Sequence, residues 1–211
     1  MQKALLFING EPPENLPHTE GYALIACSDG AFHYLKEKKF PFEKLDFISG
    51  DFDSHSGADD AVYRDKFIYT PDQNKTDFHK SLEIIQQKGI KKVDIYGGSG
   101  GEMDHFLGNL HTAFLFKDKI ELKFFDAYGT YFFSPKNLVL KECQGKLVSL
   151  IPFPATENVS SNGLNWELSC EDLSLTTRIG SRNFALSDTV EITFTGGDLV
   201  VFVGNIPKGK F

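Results

Sequence analysis

The stretch Ile48-Ser49-Gly50-Asp51-Phe52-Asp53-Ser54 follows Leu45-Asp46-Phe47 and indicates an apolar strand that runs into an acidic loop. Asp51 and Asp53 are two residues apart, so in an extended backbone both carboxylates point to the same side. A divalent cation would relieve their mutual repulsion most readily. Because Gly, Asp and Ser also dominate ordinary turns, these residues alone leave a solvated turn and a metal site equally open.

The first half of the chain alternates strand and helix signals around this stretch. Besides the strand that reaches the acidic loop, we expect strands at Ala4–Ile8, Tyr22–Cys27, Lys66–Thr70, Lys92–Tyr96 and Ile120–Phe125. We expect helices near Ala31–Lys38 and Ala58–Arg64, one carrying Phe78, Leu82 and Ile85 on one face, and one carrying Phe106, Leu110, Ala113 and Phe114. Repeated strand and helix units predict a Rossmann-like α/β domain over residues 1–127, with a mostly parallel sheet between helices.

Polar clusters follow the predicted strands of this domain. They comprise Asp29, Asp51 with Asp53, Asp72 with Gln73 and Asp77, and the glycine run at 97–101 with Asp104. Ligands of such sheets bind beyond the carboxyl ends of the strands, so the predicted topology gathers these residues along one edge. The turns at the opposite edge, such as 88–92 and 117–119, are rich in Lys and lack such clusters.

From about Tyr128 onward the sequence predicts a smaller all-β domain, a sandwich over residues 128–211. The expected strands are Tyr131–Ser134, Asn137–Lys141, Lys146–Pro152, Leu164–Leu168, Leu173–Thr177, Thr189–Thr195 and Leu199–Val203. Gly196-Gly197-Asp198 is expected to form a hairpin turn.

Composition excludes several classes of function. The net charge of −7 argues against a nucleic-acid partner, which requires clustered Lys and Arg. The apolar run near the amino terminus is too short for a signal segment or a membrane span, so no membrane association is expected. Cys27, Cys143 and Cys170 are widely spaced, which is typical of reduced, buried thiols in a cytoplasmic protein.

The glycine run Gly97-Gly98-Ser99-Gly100-Gly101 precedes a predicted helix. Free N–H groups and a helix amino terminus suit a phosphate, although a plain glycine loop is the alternative. The glycine run matches neither the P-loop motif nor the dinucleotide-binding fingerprint. Together with the strand-end carboxylates, it suggests a site that holds phosphates and magnesium.

The sequence also allows a comparison with two other chemistries. The Asp51-x-Asp53 pair is also typical of a phosphoaspartate hydrolase, in which one Asp attacks phosphorus. That function would leave the glycine run and the Asp72–Asp77 cluster without a role. The histidines have no zinc-ligand spacing, and among them His105 is the best candidate for a functional residue.

Four motifs in order, GDFDS at 50–54, DQNKTD at 72–77, GGSGGEMDH at 97–105 and GLNWEL at 163–168, closely resemble those of the thiamine pyrophosphokinase family. The resemblance spans nearly the whole chain. It implies Mg²⁺-dependent transfer of a pyrophosphoryl group from ATP to the thiamine hydroxyl, giving thiamine diphosphate and AMP. It also implies a homodimer whose active sites each combine the nucleotide domain of one subunit with the β domain of the other.

The resemblance also assigns roles to individual residues. It places Asp51, Asp53 and Asp77 at magnesium and the triphosphate, and Asp104 close to thiamine, where it would orient or deprotonate the attacking hydroxyl. The implied nucleotide-binding residues are Asp29, Gly30, Asp72, Gln73, Lys75, Gly98 and Gly100. Trp166 would stack on the pyrimidine of thiamine, with Ser181 and Asn183 as a polar element beside it. The alternative for Trp166 is a tryptophan of the sandwich core.

The chain departs from the family pattern at two motifs. Glu102 stands where the family usually has Arg, so any role of that Arg is absent or filled by another residue such as Lys75. The nucleotide turn reads Ser28-Asp29-Gly30-Ala31-Phe32 in place of the commoner ADGGAN. Three hypotheses remain: the kinase, the hydrolase and a non-catalytic thiamine or nucleotide sensor. Glu102 is the only feature that favours the sensor.

Overall fold

A computed structural model of the chain describes residues 2–52 and 62–207, with the main chain alone at 206 and 207. The chain forms two compact units, residues 1–126 and 127–211. Asp53 and residues 58–61 of the predicted helix at Ala58–Arg64 lie outside the described residues.

The first unit contains a parallel six-stranded sheet. Its strands are β1 (Ala4–Phe7), β2 (Leu24–Ser28), β3 (Phe47–Gly50), β4 (Phe67–Tyr69), β5 (Lys92–Tyr96) and β6 (Glu121–Phe125). They lie in the order β4-β3-β2-β1-β5-β6, and every neighbouring pair is parallel. The predicted α/β class with a parallel sheet is confirmed.

Three α-helices in the described residues connect these strands: α1 (Asp29–Glu37), α2 (Asp77–Gln87) and α3 (Met103–Phe116). Short 3-10 turns lie at Phe42–Lys44 and Arg64–Lys66. Alternation along β3 shows which face each helix covers, because successive side chains of a strand point to opposite faces. Ile48 belongs to the apolar cluster around α1, whereas the Ser49 hydroxyl lies 2.7 Å from that of Ser81 on α2. Helices therefore cover both faces.

The strand order reverses once. From β1 the chain adds β2, β3 and β4 on one side, and then returns to place β5 on the other side of β1. In sheets of this kind the crevice at the reversal point, beyond the carboxyl ends of the two central strands, is the usual ligand site. Here that point lies between the segments that follow β1 and β5.

The second unit is entirely β among its described residues. Its strands are β7 (Gly129–Phe133), β8 (Asn137–Leu140), β9 (Lys146–Asn162), β10 (Glu171–Ser174), β11 (Gly180–Phe184), β12 (Val190–Thr193) and β13 (Gly196–Pro207). The long strand β9 organises the unit, because it pairs antiparallel with β10, β11, β12 and β13. A second set of buried apolar residues, including Val148, Val159 and Leu199, forms its core. The predicted small β domain is confirmed.

Two expected elements of this unit are wrong. Leu164–Leu168 is a loop in which only Leu164 makes an isolated bridge, to Ala185. Gly163 turns the chain there, at a φ of 87°. Gly196-Gly197-Asp198 is not a hairpin turn but the irregular start of β13, where the register against β9 shifts. A Cβ on Gly197 would lie 2.0 Å from the main-chain oxygen of Ala155, so glycine permits close strand packing rather than a turn.

No helix among the described residues is both long enough and apolar enough to cross a membrane. All three cysteines are free thiols, in agreement with their spacing. Cys27 and Cys143 are buried as expected, but Cys170 is exposed.

Candidate functional site

Asp51 lies directly after β3 and is hydrogen-bonded to the loop that follows β4. The Gln73 amide donates from Nε2 to Asp51 Oδ2 at 2.8 Å. The next residue, Phe52, donates its main-chain N–H to Asp29 Oδ2 at 2.9 Å. Asp29 is the first residue of α1 and is only 3% exposed. The segments that follow β2, β3 and β4 therefore meet at the carboxyl edge of the sheet, as predicted from their positions.

The backbone around Asp51 is closely constrained. A Cβ on Gly50 would lie 2.3 Å from the Cβ of Asp29, so only glycine fits at this position. Phe52 has a φ of 57°, in the left-handed region that bulky residues rarely adopt. Its ring stacks on Phe67, with centroids 4.4 Å apart. Since such strain persists only where neighbours impose it, the ring contact and the bond to Asp29 together fix the turn after Asp51.

Asp77, the first residue of α2, is connected to the same strand ends through Lys80. Lys80 Nζ lies 2.8 Å from Asp77 Oδ1 and donates to the main-chain oxygen of Thr70 at 2.8 Å. Lys80 is only 6% exposed, so both contacts are largely shielded from water. The N–H of Thr70 in turn donates to the oxygen of Gly50 at 2.8 Å. Asp77 therefore lies in one polar network with the ends of β3 and β4.

Asp72 and Lys75, in the same loop, make local interactions. Asp72 Oδ1 accepts from the main-chain N–H of Asn74 at 2.9 Å and from its amide at 3.1 Å, and these bonds lower the pKa of Asp72. Lys75 donates to Glu83 Oε1 at 2.7 Å, which raises the pKa of Lys75. Any phosphate contact by Lys75 would therefore compete with Glu83.

The glycine run packs against the segment that follows β1. Gly97 has a φ of 78°, and a Cβ there would lie 2.1 Å from the oxygen of Ile8. A Cβ on Gly10 would lie 2.3 Å from the oxygen of Gly97, and one on Gly100 would lie 2.4 Å from Glu11 Oε2. The two segments at the reversal point therefore touch through glycines.

Carboxylates and neutral groups hold this run in place. The oxygen of Gly98 accepts from Asn109 Nδ2 at 3.1 Å, and the oxygen of Ser99 accepts from the N–H of Glu11 at 3.0 Å. The Ser99 hydroxyl donates to Asp126 Oδ2 at 2.9 Å. Since Glu11 and Asp126 are acidic, a phosphate bound here would require a cation to offset their charge.

Gly30, which the resemblance places in the nucleotide turn, lies against the segment that follows β1. A Cβ on Gly30 would lie 2.4 Å from Cγ of Asn9. This contact brings the start of α1 to the reversal point between β1 and β5. Asn9 was not singled out from the sequence, although its place directly after a buried strand is a signal of the same kind as that for Asp51.

Glu102, Asp104 and His105 form an exposed cluster at the start of α3. Their ligand atoms all lie within 4.8 Å of one another. His105 Nε2 lies 3.5 Å from Glu102 Oε2, and the N–H of His105 donates to Asp104 Oδ1 at 3.0 Å. The sequence predicts Asp104 as a site residue, gives His105 as the best functional candidate among the histidines, and shows Glu102 as a departure from the family pattern. Their proximity follows from the i, i+3 spacing of Glu102 and His105 at a helix start.

Asp94, in the middle of β5, is a buried carboxylate that sequence reasoning missed. It is 4% exposed, and its Oδ2 lies 2.5 Å from Lys3 Nζ and accepts from the Tyr22 hydroxyl at 2.7 Å. Burial and this bond raise the pKa of Tyr22 above its ordinary range. Lys3 and Tyr22 also line a cavity of about 440 Å³ together with Tyr96. The available signal was an Asp between the apolar residues Val93 and Ile95.

In the second unit, Trp166 lies in the loop between β9 and β10 and is 57% exposed, so it is not a core tryptophan. Its ring meets Phe184 edge to face, with centroids 5.7 Å apart. Asn183 is buried and hydrogen-bonded to the main chain of Trp166. Ser181 is exposed at an irregularity of β11, where the register against β9 shifts between Gly180 and Asn183.

Both units match one family. The sequence model described as the catalytic domain of thiamin pyrophosphokinase matches residues 18–124, just over half of the 211-residue chain. The one described as the vitamin B1 binding domain of thiamin pyrophosphokinase matches residues 136–199. The chain belongs to the thiamin pyrophosphokinase family.

Curated relatives and solved structures agree with this thiamin pyrophosphokinase membership. The chain is 23% identical to thiamine pyrophosphokinase of Bacillus subtilis, with 94% of this chain and 97% of that protein covered. It is 27% identical to thiamine pyrophosphokinase 1 of rice, but there the match covers 74% of this chain and 65% of the relative, just under two thirds. These relatives are enzymes, and membership places this chain in an enzyme family.

The fold is that of solved thiamin pyrophosphokinases. The Bacillus subtilis structure has a TM-score of 0.80 at 20% identity, covering 95% of this chain and 98% of that one. The yeast structure has a TM-score of 0.81 at 20% identity, covering 96% and 86%. At such identities the likeness demonstrates the two-domain fold.

Proposed function

We propose that this protein transfers the pyrophosphoryl group of ATP to the hydroxyl of thiamine, giving thiamine diphosphate and AMP. The observation that carries the proposal is the polar network that joins Asp51 and Asp77 at the carboxyl edge of the sheet. It lies within the residues that match the family's catalytic domain. Carboxylates and a triphosphate repel each other unless a metal ion lies between them. A network of carboxylates that can hold such an ion therefore fits a nucleotide substrate better than an uncharged substrate.

Magnesium fits the donors of this edge. Asp51 and Asp77 offer carboxylate oxygens, the hard ligands that Mg²⁺ takes, and Asp53 would join them. One oxygen of Asp51 is oriented by Gln73, and one oxygen of Asp77 by Lys80. When bound, the metal would offset the negative charge of the triphosphate.

The proposed reaction needs no covalent enzyme intermediate. The thiamine hydroxyl oxygen forms a bond to the β-phosphorus of ATP, the bond from that phosphorus to the oxygen bridging it to the α-phosphate breaks, and AMP leaves with that oxygen. The hydroxyl proton passes to a base, for which we propose Asp104. Because phosphoryl transfer involves little other chemistry, positioning by the protein accounts for most of its contribution.

We propose that the second unit binds thiamine. Trp166 presents a largely exposed indole in the region that matches the vitamin B1 binding domain, and an aromatic face suits a cationic, planar substrate. Ser181, exposed on β11, is proposed as a polar contact of thiamine.

We also propose a homodimer with active sites shared between subunits, and a cytoplasmic location. Sedimentation velocity tests the first, and fractionation of the source cells tests the second.

The test of function follows AMP production from ATP with and without thiamine and Mg²⁺. The proposal expects AMP and thiamine diphosphate only when thiamine, ATP and Mg²⁺ are all present. Phosphate release from a phosphomonoester without thiamine would support the hydrolase alternative. Binding of thiamine or ATP without turnover would instead indicate a sensor. Either result would overturn the proposal.

A further inference from the structure

Asn183 holds the main chain of Trp166 at two points. Asn183 Oδ1 accepts from the N–H of Trp166 at 3.1 Å, and its Nδ2 donates to the oxygen of Trp166 at 2.7 Å. The same Oδ1 accepts from the N–H of Phe184 at 2.9 Å. Reversing the amide would place Nδ2 opposite two N–H donors, so these three bonds also fix its orientation.

These bonds use most of what the side chain can offer. An asparagine amide can accept two hydrogen bonds and donate two, and here both acceptor positions and one donor position are occupied. Asn183 is moreover only 7% exposed. The resemblance places Asn183, with Ser181, in a polar element among the thiamine-binding residues, whereas its hydrogen bonds are those of a side chain committed to the protein.

Other hydrogen bonds of the Trp166 loop hold its flanking residues. Asn165 donates its N–H to the oxygen of Phe184 at 2.9 Å, and Gly163 donates its own to Glu167 Oε1 at 2.9 Å. Both groups of the Trp166 peptide backbone that can form hydrogen bonds are thus taken by one side chain from β11. The indole meets Phe184 edge to face but is 57% exposed, so its position also depends on how firmly its main chain is held.

We infer that Asn183 is a positioning residue that acts on thiamine through Trp166 without touching it. The inference rests on the proposed role of Trp166 in thiamine binding. Holding the indole before the substrate arrives lowers the entropy that binding must remove, which improves affinity without adding a contact. Asn183 therefore contributes to the KM for thiamine, while the KM for ATP is independent of it.

A double-mutant cycle tests the inference. Asn183→Ala and Trp166→Ala are made singly and together, with Asn165→Ala as the matched control, since Asn165 is exposed in the same loop. We expect Asn183→Ala to raise the KM for thiamine about tenfold with kcat and the KM for ATP nearly unchanged. In the Trp166→Ala background it should have no further effect. Effects that multiply in the double variant would overturn the inference, because Asn183 would then act independently of Trp166.

A second readout separates this inference from the proposed function. Trp166 is the only tryptophan of the chain, so the fluorescence anisotropy of the protein reports on this one side chain. Without thiamine, Asn183→Ala should lower the anisotropy and increase quenching by acrylamide, whereas Asn165→Ala should change neither. If Asn183→Ala leaves both unchanged, the inference fails. If thiamine does not alter Trp166 emission in the unmodified protein, the proposed role of Trp166 fails instead.

Asn183→Asp keeps the test possible if the alanine variant does not fold. It retains the acceptor for two N–H groups but replaces the donor with a carboxylate oxygen, which repels the oxygen of Trp166, so that one point of attachment is lost and the other remains. We expect intermediate anisotropy and an intermediate KM for thiamine. Values equal to those of the unmodified protein would contradict the positioning role.

Discussion

The acidic edge of the first unit and the Trp166 loop of the second are built in opposite ways. At the acidic edge, the carboxylates that we propose as metal ligands are themselves held by partners, Asp51 by Gln73 and Asp77 by Lys80. In the Trp166 loop, the hydrogen bonds go to the main chain and leave the indole largely exposed. Charged groups that handle a metal and phosphates need fixed partners, whereas an aromatic platform needs only a fixed backbone and an open face.

This difference predicts which kinetic constant changes when each region is altered. Changes at the acidic edge should lower kcat, because they disturb the groups that we place at the reacting phosphates. Changes in the Trp166 loop should raise the KM for thiamine, because they weaken binding that is similar in the ground state and the transition state. Variants in each region therefore test this division of roles.

The largest effect is expected for Asp51→Asn. Removing this charge should lower kcat about a thousandfold while the fold stays intact, because the neutral amide cannot hold a metal and triphosphate in the same way. Steady-state kinetics and circular dichroism measure the two quantities. Asp72→Asn, in the loop that follows β4, should lower kcat much less. Equal losses of kcat in the two variants would remove the special role of Asp51.

The next largest effect is expected for Lys80→Met. It removes the cation that bridges Asp77 and Thr70, so a partly buried carboxylate loses its partner. We expect a loss of about 2–3 kcal/mol in the free energy of unfolding, measured by urea denaturation, together with lower kcat. Lys88→Met, at the exposed end of α2, is the control and should change stability by less than about 0.5 kcal/mol. A stable but inactive Lys80→Met would indicate that the network serves catalysis alone.

Trp166→Ala should act on the other side of the comparison. Stacking of a base-like ring on an aromatic side chain contributes about 1–3 kcal/mol, so the KM for thiamine should rise about tenfold to a hundredfold. Initial-rate measurements at saturating ATP give this value. The free energy of unfolding should change little, since the indole is mostly exposed. A main effect on kcat instead would show that the two regions do not divide the work as proposed.

The smallest effect is a pH dependence from Asp72. The hydrogen bonds from Asn74 lower the pKa of Asp72 from the ordinary value of 3.8. As pH falls, Asp72 therefore takes up a proton in the unfolded chain before it does so in the folded chain. The stability that Asp72 contributes is therefore present above pH 3.8 and is lost as pH falls through its folded-state pKa. Between about pH 5 and pH 2 the Tm of the unmodified protein should decline towards that of Asp72→Asn. Parallel curves would mean that the turn does not depend on this charge.

Much of the first unit could be predicted because its signals are local. An apolar strand followed by Gly50 and Asp51 places that carboxylate at a strand end, and the parallel topology carries Gln73 and Asp77 to the same edge. The predicted strand at Lys92–Tyr96 coincides with β5. Asp94 and Lys80 were missed, since burial of a charged side chain depends on partners that are distant in sequence.

The second unit was less predictable, since β pairing is determined by distant contacts. The sequence around Trp166 resembles a strand, but Gly163 and the side chain of Asn183 make it a loop. Strand β11 (Gly180–Phe184) was missed, because its polar residues resemble a turn until their pairing with β9 is known. Gly196 and Gly197 at the start of β13 likewise resemble a turn until their pairing with β9 is known.

The α/β class, the acidic strand ends and the order of motifs follow from the sequence alone, because each depends on residues close together in the chain. For the stretch at 48–54, the sequence also placed Asp51 beyond the carboxyl end of a strand. Three features are visible only in the folded chain: the partners that hold the carboxylates, the burial of Lys80 beside Asp77, and the hydrogen bonds from Asn183 to the backbone of Trp166. Those features depend on three-dimensional packing, which brings together groups that local pattern cannot pair.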